Sequence, residues 1–449
     1  MRRIAMIPTV LFWLAGASRG ADLPDAPKPP AGFPSFKVQE IDTGLKIGYA
    51  VITADIDGDA KPDIAVVDQH KVVWYQNPTW KKRVLLDGKT KPDNVCIAAL
   101  DIDGDKLPEL VIGAGWKPFD TKNPGTLQWL KRGKTLDDEW TMHAIPCEEP
   151  TVHRIRAFDT DGDGKPELVL APLMGREATK EKNWLDGRPV RIVSYKVPAK
   201  DPEKPESWKS TVLCEDLHVV HNSVEGSKPF QNFFAVSYAG LHRYSQLKVG
   251  QWEGKKIGEG DQVNPKGSRG ASEVAVGEYF DFGIAMEQRG YPRSPIIPDA
   301  VAATIEPWHG NKVVVYLPPD KGGKDKDAVL WTRVVVDEQL RWGHAVKFAK
   351  LDRMAGVGMF SSYYDDLIVG VRDNPDPKQG DKFTEKRGVR IYRHDGKLNR
   401  WERYILEDGG VAVEDLVVAD LDGDNRPDIV AVGRATGNCR IYWNQGVAK

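Results

Sequence analysis

The stretch Asp55-Ile56-Asp57-Gly58-Asp59-Ala60-Lys61-Pro62-Asp63-Ile64-Ala65-Val66-Val67, followed by Val72-Val73-Trp74-Tyr75 and then by Trp80 and Leu85, is one full repeat of this chain. Its acidic half recurs as Asp101 to Asp105, Asp159 to Asp163 and Asp420 to Asp424, each time with Pro and a carboxylate after it. In the first copy Asp55, Asp57, Asp59 and Asp63 hold positions 1, 3, 5 and 9, with the Lys61 carbonyl at 7 and Gly58 permitting a sharp turn. Alternate side chains of such a loop converge, and a hard cation that takes about six to eight oxygens in irregular geometry suits them. The other copies supply Asp101, Asp103, Asp105 and Glu109; Asp159, Asp161, Asp163 and Glu167; and Asp420, Asp422, Asp424 and Asp428. Crowded carboxylates repel one another unless a cation neutralises them. Structural calcium is therefore expected in each loop, with no catalysis there, because a closed ligand shell leaves no open coordination position.

The second half of the repeat is more regular still. An apolar strand ending near Tyr or Trp recurs seven times, at Trp74-Tyr75, Trp129, Tyr195, Tyr244, Tyr316, Tyr392 and Tyr442-Trp443. After six of these comes a Trp with an aliphatic residue five positions on, from Trp80 with Leu85 to Trp401 with Leu406. The seventh copy runs out of chain, and Phe36 with Ile41 supplies the missing spacing from the other end. Four strands per unit and seven units predict an all-β fold, a seven-bladed β-propeller over 34–449 whose N-terminal strand completes the C-terminal blade.

The first twenty residues read as a secretory signal peptide: Met1-Arg2-Arg3, an apolar run from Ile4 to Leu14, then small residues. Residues 21–33 read as a Pro-rich linker. A secreted or periplasmic protein is expected, with no membrane span, because no apolar stretch approaches about 20 residues. Charge is balanced, at 63 basic against 65 acidic residues, which argues against nucleic acid as a partner. Four cysteines in 449 residues are too few for a disulfide-stapled scaffold, so the fold must rest on its core and its metals.

Successive strands of a blade are antiparallel. The acidic loops therefore occupy one face, while the turns leading into first strands and those between second and third strands share the other. Five of the nine histidines map to that second face: His153, His218, His221, His309 and His344. His153 and His344 each lie six residues before a first-ligand position, and the same count brings Glu273, Glu414 and Asp415 to the channel mouth. A single histidine in such a turn ordinarily bonds a carbonyl. Several together beside carboxylates suit a transition metal or a general base. His218, His221 and His309 are expected to hold zinc or another divalent ion, with His153, His344 and Glu273 as acid–base groups. Trp308, Trp342 and Trp116 suit the apolar face of a sugar ring. Arg154, Arg176, Arg341 and Arg372 could orient an oxygen-rich ligand, and Asn222 is a further expected substrate contact. No phosphate loop, Gly-x-Ser-x-Gly elbow, His-Glu-x-x-His helix or Cys-x-x-Cys pair occurs, so hydride transfer, phosphoryl transfer and serine hydrolysis lack support.

The run from Asp55 through Ile64 and its three relatives resemble the FG-GAP or VCBS repeat family, whose blades carry calcium loops between first and second strands. Blades four to six depart from it; in the sixth, Lys350 takes the first ligand position. From Leu217 to about Asp373, the segments His218-Val219-Val220-His221-Asn222, Arg269-Gly270-Ala271-Ser272-Glu273, Glu306-Pro307-Trp308-His309-Gly310-Asn311 and Trp342-Gly343-His344-Ala345 resemble the propeller portion of the aldos-2-ulose dehydratase family. That resemblance implies a carbon–oxygen lyase that eliminates water from a keto or anhydro sugar such as 1,5-anhydrofructose, without the isomerase step of the fungal enzyme's cupin domains. The alternatives are a propeller that binds a glycan or protein without catalysis, and a polysaccharide lyase.

Overall fold

The computed structural model describes residues 23, 25–226, 231–263, 268–280, 299–319, 329–352, 363–372, 387–395, 398 and 400–447. The expected signal peptide, and residues 21, 22 and 24 of the expected linker, lie outside the described residues. Strands form because β-branched and aromatic residues dominate the runs between acidic turns. They assemble into seven antiparallel sheets, each ordered by sequence from the innermost strand outward. The innermost strands are Ala50–Ala54, Cys96–Leu100, Arg154–Phe158, Val220–Glu225, Glu273–Phe280, Gly343–Ala349 and Val413–Ala419, the first strands of blades one to seven. The second strands begin at Asp63, Glu109, Glu167, Asn232, Asp299, Asp366 and Asp428. Blade five departs from the four-strand pattern, because Tyr363–Tyr364 pairs with its innermost strand.

The ring closes as expected. The N-terminal strand Pro34–Asp42 pairs antiparallel with Cys439–Val447 as the outermost strand of blade seven, in the register Val38 with Tyr442. Phe36 and Val38 bury their side chains in the core beneath this pairing. The core is the set of interfaces between adjacent blades: Ile64, Val66 and Tyr75 of blade one pack on Val430, Val432 and Ile441 of blade seven.

Four of the recurring tyrosines share a task, while Tyr316 donates to Glu306 within its own blade. Tyr244, Tyr392 and Tyr442 donate their hydroxyls to Asp216 (2.5 Å), Asp337 (2.8 Å) and Glu407 (3.2 Å), each a carboxylate in or just after the outermost strand of the preceding blade. Tyr75 does the same to Asp42, across the closure. A buried hydroxyl needs such a partner, so each bond latches two blades. The four cysteines are unpaired. Among the described residues no helix is long and apolar enough to cross a membrane.

Because Phe36 is 2% exposed, truncation leaves a cavity at the closure. Phe36→Ala is expected to lower the unfolding free energy by about 3–5 kcal/mol in urea denaturation, whereas a loss under about 1 kcal/mol would mean that the N-terminal strand contributes little to the ring.

Candidate functional site

Four histidines converge at one mouth of the central channel. His153 immediately precedes the innermost strand of blade three, His221 and His344 lie in those of blades four and six, and His309 stands between the second and third strands of blade five. His221, His344 and Glu414 each occupy a break in the ladder register of an innermost strand, between Val220 and Asn222, Gly343 and Ala345, and Val413 and Asp415. Such a bulge re-aims one side chain, and here all three join the same cluster. Ring centroids are 4.5 Å apart for His153 and His221, 4.7 Å for His221 and His309, and 4.8 Å for His309 and His344. Trp116 covers His153 at 4.9 Å, and Trp308 meets His221 edge-on at 4.7 Å.

Hydrogen bonds fix the proton positions. His153 Nδ1 lies 2.9 Å from the His221 carbonyl, and His344 Nδ1 contacts the Glu414 carbonyl. Carbonyls only accept, so both rings carry hydrogen on Nδ1 and present Nε2 as an acceptor. Arg154 donates to His153 Nε2 at 3.2 Å. Arg372 donates to His309 Nδ1 at 3.2 Å, which puts the hydrogen of a neutral His309 on Nε2, directed at His221 Nε2, 2.8 Å away. His221 is then left with hydrogen on Nδ1, 2.8 Å from Glu273 Oε1 but off the line of a proper hydrogen bond.

Around the rings stands a charged frame. Glu273 accepts from Asn222 Nδ2 at 2.7 Å and pairs with Arg154 at 3.4 Å. Glu414 lies between Arg372 at 2.9 Å and Arg434 at 2.8 Å. Burial pushes all four imidazoles well below their usual range, and nearby arginines, Arg154 for His153 and Arg372 for His309 and His344, push the same way. Burial also raises Glu273, against the pull of Arg154. Burial alone would raise Glu414 too, but Arg372 and Arg434 reverse it and hold it below the ordinary carboxylate range. Two carboxylates driven apart in this way suit opposite acid–base roles.

His221, His309 and His344 bring ring nitrogens within 4.8 Å of one another. The donor type fits a divalent transition metal. The orientation fits at two of three rings, since a carbonyl backs His344 and a carboxylate adjoins His221. His309 would have to surrender its Nε2 hydrogen and Arg372 would have to yield Nδ1. His218 is a correction: it lies in the turn before the innermost strand of blade four, outside this trio, and lines a separate cleft. His344, expected as a base, shares the trio instead. Trp342 lies 6.4 Å from His309 with Arg372 over its ring, while Arg176 is held at the surface by Glu148. Arg434 escaped sequence reading. Its signal is positional, an arginine directly after the second strand, as Arg372 is in blade six. A cavity of about 510 Å³ opens elsewhere, beside Glu225, Val276, Phe348 and Asp420, and no histidine lines it.

The acidic loops lie at that other mouth. Gly58, Gly104, Gly162 and Gly423 all have φ near +80°, from 78° to 84°, as the turn requires. Carboxylates 1, 3 and 9 converge within 4.8 Å in each loop. The fifth-position residues Asp59, Asp105, Asp163 and Asp424 stand outside these trios and pair with Lys61, Arg132, Lys196 and Arg426.

The family described as aldos-2-ulose dehydratase, β-propeller domain, matches residues 124–319, and an FG-GAP-like repeat matches residues 55–112. The first match begins earlier than Leu217 and stops short of Asp373, and it takes in His153, His221, Glu273 and His309. The aldos-2-ulose dehydratase of Phanerodontia chrysosporium is 23% identical over 223 residues, which make up 47% of this chain and 22% of that protein. Among solved structures, BBS1N in complex with ARL6DN has a TM-score of 0.51 at 11% identity, covering 94% of this chain and 98% of that one. The RRP9 WD40 repeats have 0.51 at 10% identity, covering 93% and 99%. These last two likenesses concern the fold alone.

The neutral rings predict a pH dependence. An unfolded chain protonates each histidine near pH 6.5 while the folded cluster does not, so the unfolded state binds more protons as pH falls below about 6.5. Stability is full above that value and lost below it. The unfolding free energy is expected to drop by up to ~1.4 kcal/mol per pH unit for each ring below about pH 6. Urea titrations across this range check it, and His309→Gln is expected to flatten the slope by one such increment.

Proposed function

We propose that this protein is a carbon–oxygen lyase of the aldos-2-ulose dehydratase type, which removes water by β-elimination from a keto or anhydro sugar. The observation that carries the reading is the buried group of neutral imidazoles between a raised and a lowered carboxylate, most of it inside the segment that matches that enzyme's propeller domain. Once Arg154 yields His153 Nε2, that nitrogen takes the proton from the carbon beside the ketone, a double bond forms to the next carbon, and the carbon–oxygen bond there breaks. Glu273, held above the usual carboxylate range, protonates the departing hydroxyl so that it leaves as water. Arg154 keeps His153 uncharged and oriented, and Trp116 and Trp308 exclude water. A divalent metal held by His221, His309 and His344, zinc or another, would polarise the ketone.

We further propose that calcium occupies the acidic loops, and that these loops do not depend on it equally. The residue ending the third strand reaches each loop. It is Gln76 in blade one, Lys131 in blade two and Lys196 in blade three; in blade six, Arg393 bridges Asp352 and Asp366. An ammonium or guanidinium there partly replaces the cation. Blade one lacks one, and in blade seven Trp443 donates to Gln39 instead. The ninth-position carboxylates Asp63, Glu109 and Asp428 are pushed up to about 6, about 7 and about 7, chiefly by burial and further by neighbouring aspartates, whereas in blade three burial raises Glu167 against the pull of Lys196. The loops of blades one, two and seven therefore gain most from a bound cation.

Incubation of metal-replete protein with 1,5-anhydrofructose is expected to produce the ultraviolet absorbance of a conjugated enone. His153→Ala is expected to reduce the rate by about 10²–10⁴-fold. No enone from wild type, with sugar binding retained, would leave a non-catalytic glycan-binding propeller. Calcium chelation is expected to lower the melting temperature, as loss of a ligand present at about 100 times its Kd removes ~2.7 kcal/mol. Lys196→Gln is expected to enlarge that shift, and an unchanged shift would argue against cation replacement in blade three.

A further inference from the structure

The cleft that receives His218 lies on the same mouth as the histidine cluster. It measures about 270 Å³ and is lined by Leu185, Leu217, His218, Tyr238, Lys256 and Arg269 among others. Leu217 and His218 lead into the innermost strand of blade four, Tyr238 stands between that blade's second and third strands, and Arg269 leads into blade five. An aromatic wall joins the cleft to the cluster: Tyr238 meets Trp308 edge-on at 5.1 Å, and Trp308 meets His221 at 4.7 Å.

His218 and Arg269 line the cleft as half-exposed side chains, while His218 Nδ1 and Arg269 Nε face away from solvent and make no hydrogen bond. The other charges are already engaged, Lys256 with Glu259 at 2.9 Å and Asp216 with the Tyr244 hydroxyl at 2.5 Å. Two bases and two acids leave no net field for an anion. Directional donors over an apolar floor, in a volume near the lower bound of ~300 Å³ for ligand pockets, suit one neutral polyhydroxylated ring. The residue before Leu185, Trp184, is half-buried and stacks on Phe119 at 5.4 Å and 20°, and Phe119 is 70% exposed. The open ring of Phe119 is an apolar surface of the kind that covers a sugar face.

We propose that this cleft is a saccharide subsite and that the substrate of the axial site carries at least one further neutral sugar ring, lodged between blades three and four. The proposal rests on the carbohydrate reading of the axial cluster and extends it. The ring in the cleft lies against the exposed edges of the His218 imidazole and the Arg269 guanidinium, while Trp184 and Phe119 receive any ring beyond it.

Isothermal titration with glucose, cellobiose and cellotriose tests this without turnover, since none is a keto sugar. Wild type is expected to bind cellobiose at least tenfold more tightly than glucose, which is ~1.4 kcal/mol. Arg269→Ala and His218→Asn are each expected to bring that ratio near one, with unchanged melting temperature showing that the fold persists; if one variant does not fold, the other decides. Equal affinity for one, two and three rings, or a ratio untouched by both variants, overturns the subsite. Tighter binding of digalacturonate than of cellobiose overturns its neutral character. Enone formation from anhydrofructose alongside a flat ratio would sink the subsite and leave the lyase. A steep ratio without enone formation would do the reverse.

Discussion

The pairing of Pro34–Asp42 with Cys439–Val447 is the constraint on which the rest depends. The cluster draws its groups from blades three to seven, so no single sheet contains it and only a closed ring sets its distances. Each blade fixes its neighbour through interleaved aliphatic side chains, and tyrosine–carboxylate latches add direction to that contact. Dispersion and burial supply most of the energy, but they are indifferent to small rotations of one sheet against the next. A hydroxyl that must find one carboxylate is not. The ring therefore holds imidazoles from different blades close enough for a hydrogen bond of 2.8 Å between His221 and His309.

Within that ring the arginines decide the state of the histidines. An arginine can only donate, so Arg372 dictates the tautomer of His309, and through it the orientation of hydrogen on His221. The same guanidinium anchors Glu414, whose backbone carbonyl in turn orients His344. One residue thus sets three others by contact geometry alone. Burial makes charged imidazolium costly, and adjacent guanidinium groups make it costlier. The rings are kept as lone-pair donors, the form needed by either a proton acceptor or a metal ligand.

The repeat was legible because it is written twice, in acidic spacing and in strand periodicity, and both halves report on local physics. Carboxylates at positions 1, 3 and 9 must meet when Gly58 or its relatives turn the chain, and an apolar strand ending in Tyr must find a carboxylate next door. The face that would carry the histidines was also legible, since antiparallel order fixes it, and Glu273 and Glu414 fell where the spacing put them. Which histidines converge was not. The register breaks at His221, His344 and Glu414 each insert one residue, and only the one at His344 has a glycine, Gly343, beside it. His218 and His221 lie three positions apart, and only the second falls within the innermost strand. Arg434 and Arg393 were obscure for a related reason: each acts on a neighbouring strand, so its role follows from cross-strand register and not from its own surroundings in the chain.

The two mouths of the channel divide the labour of the fold. Blades seven, one, two and three keep the acidic loops, and two of them, seven and one, contain the seam or adjoin it. Blades four and five have none, and blade six holds its two aspartates on Arg393. Those same three blades contribute His221, His309 and His344. A loop rich in carboxylates at one end of an innermost strand places no demand on the other end, about five residues or ~17 Å away. The acidic turns can therefore brace one mouth while bulges and arginines at the opposite mouth are free to shape a site. A disturbance of one mouth reaches the other only through the strands, which the interfaces between blades hold fixed.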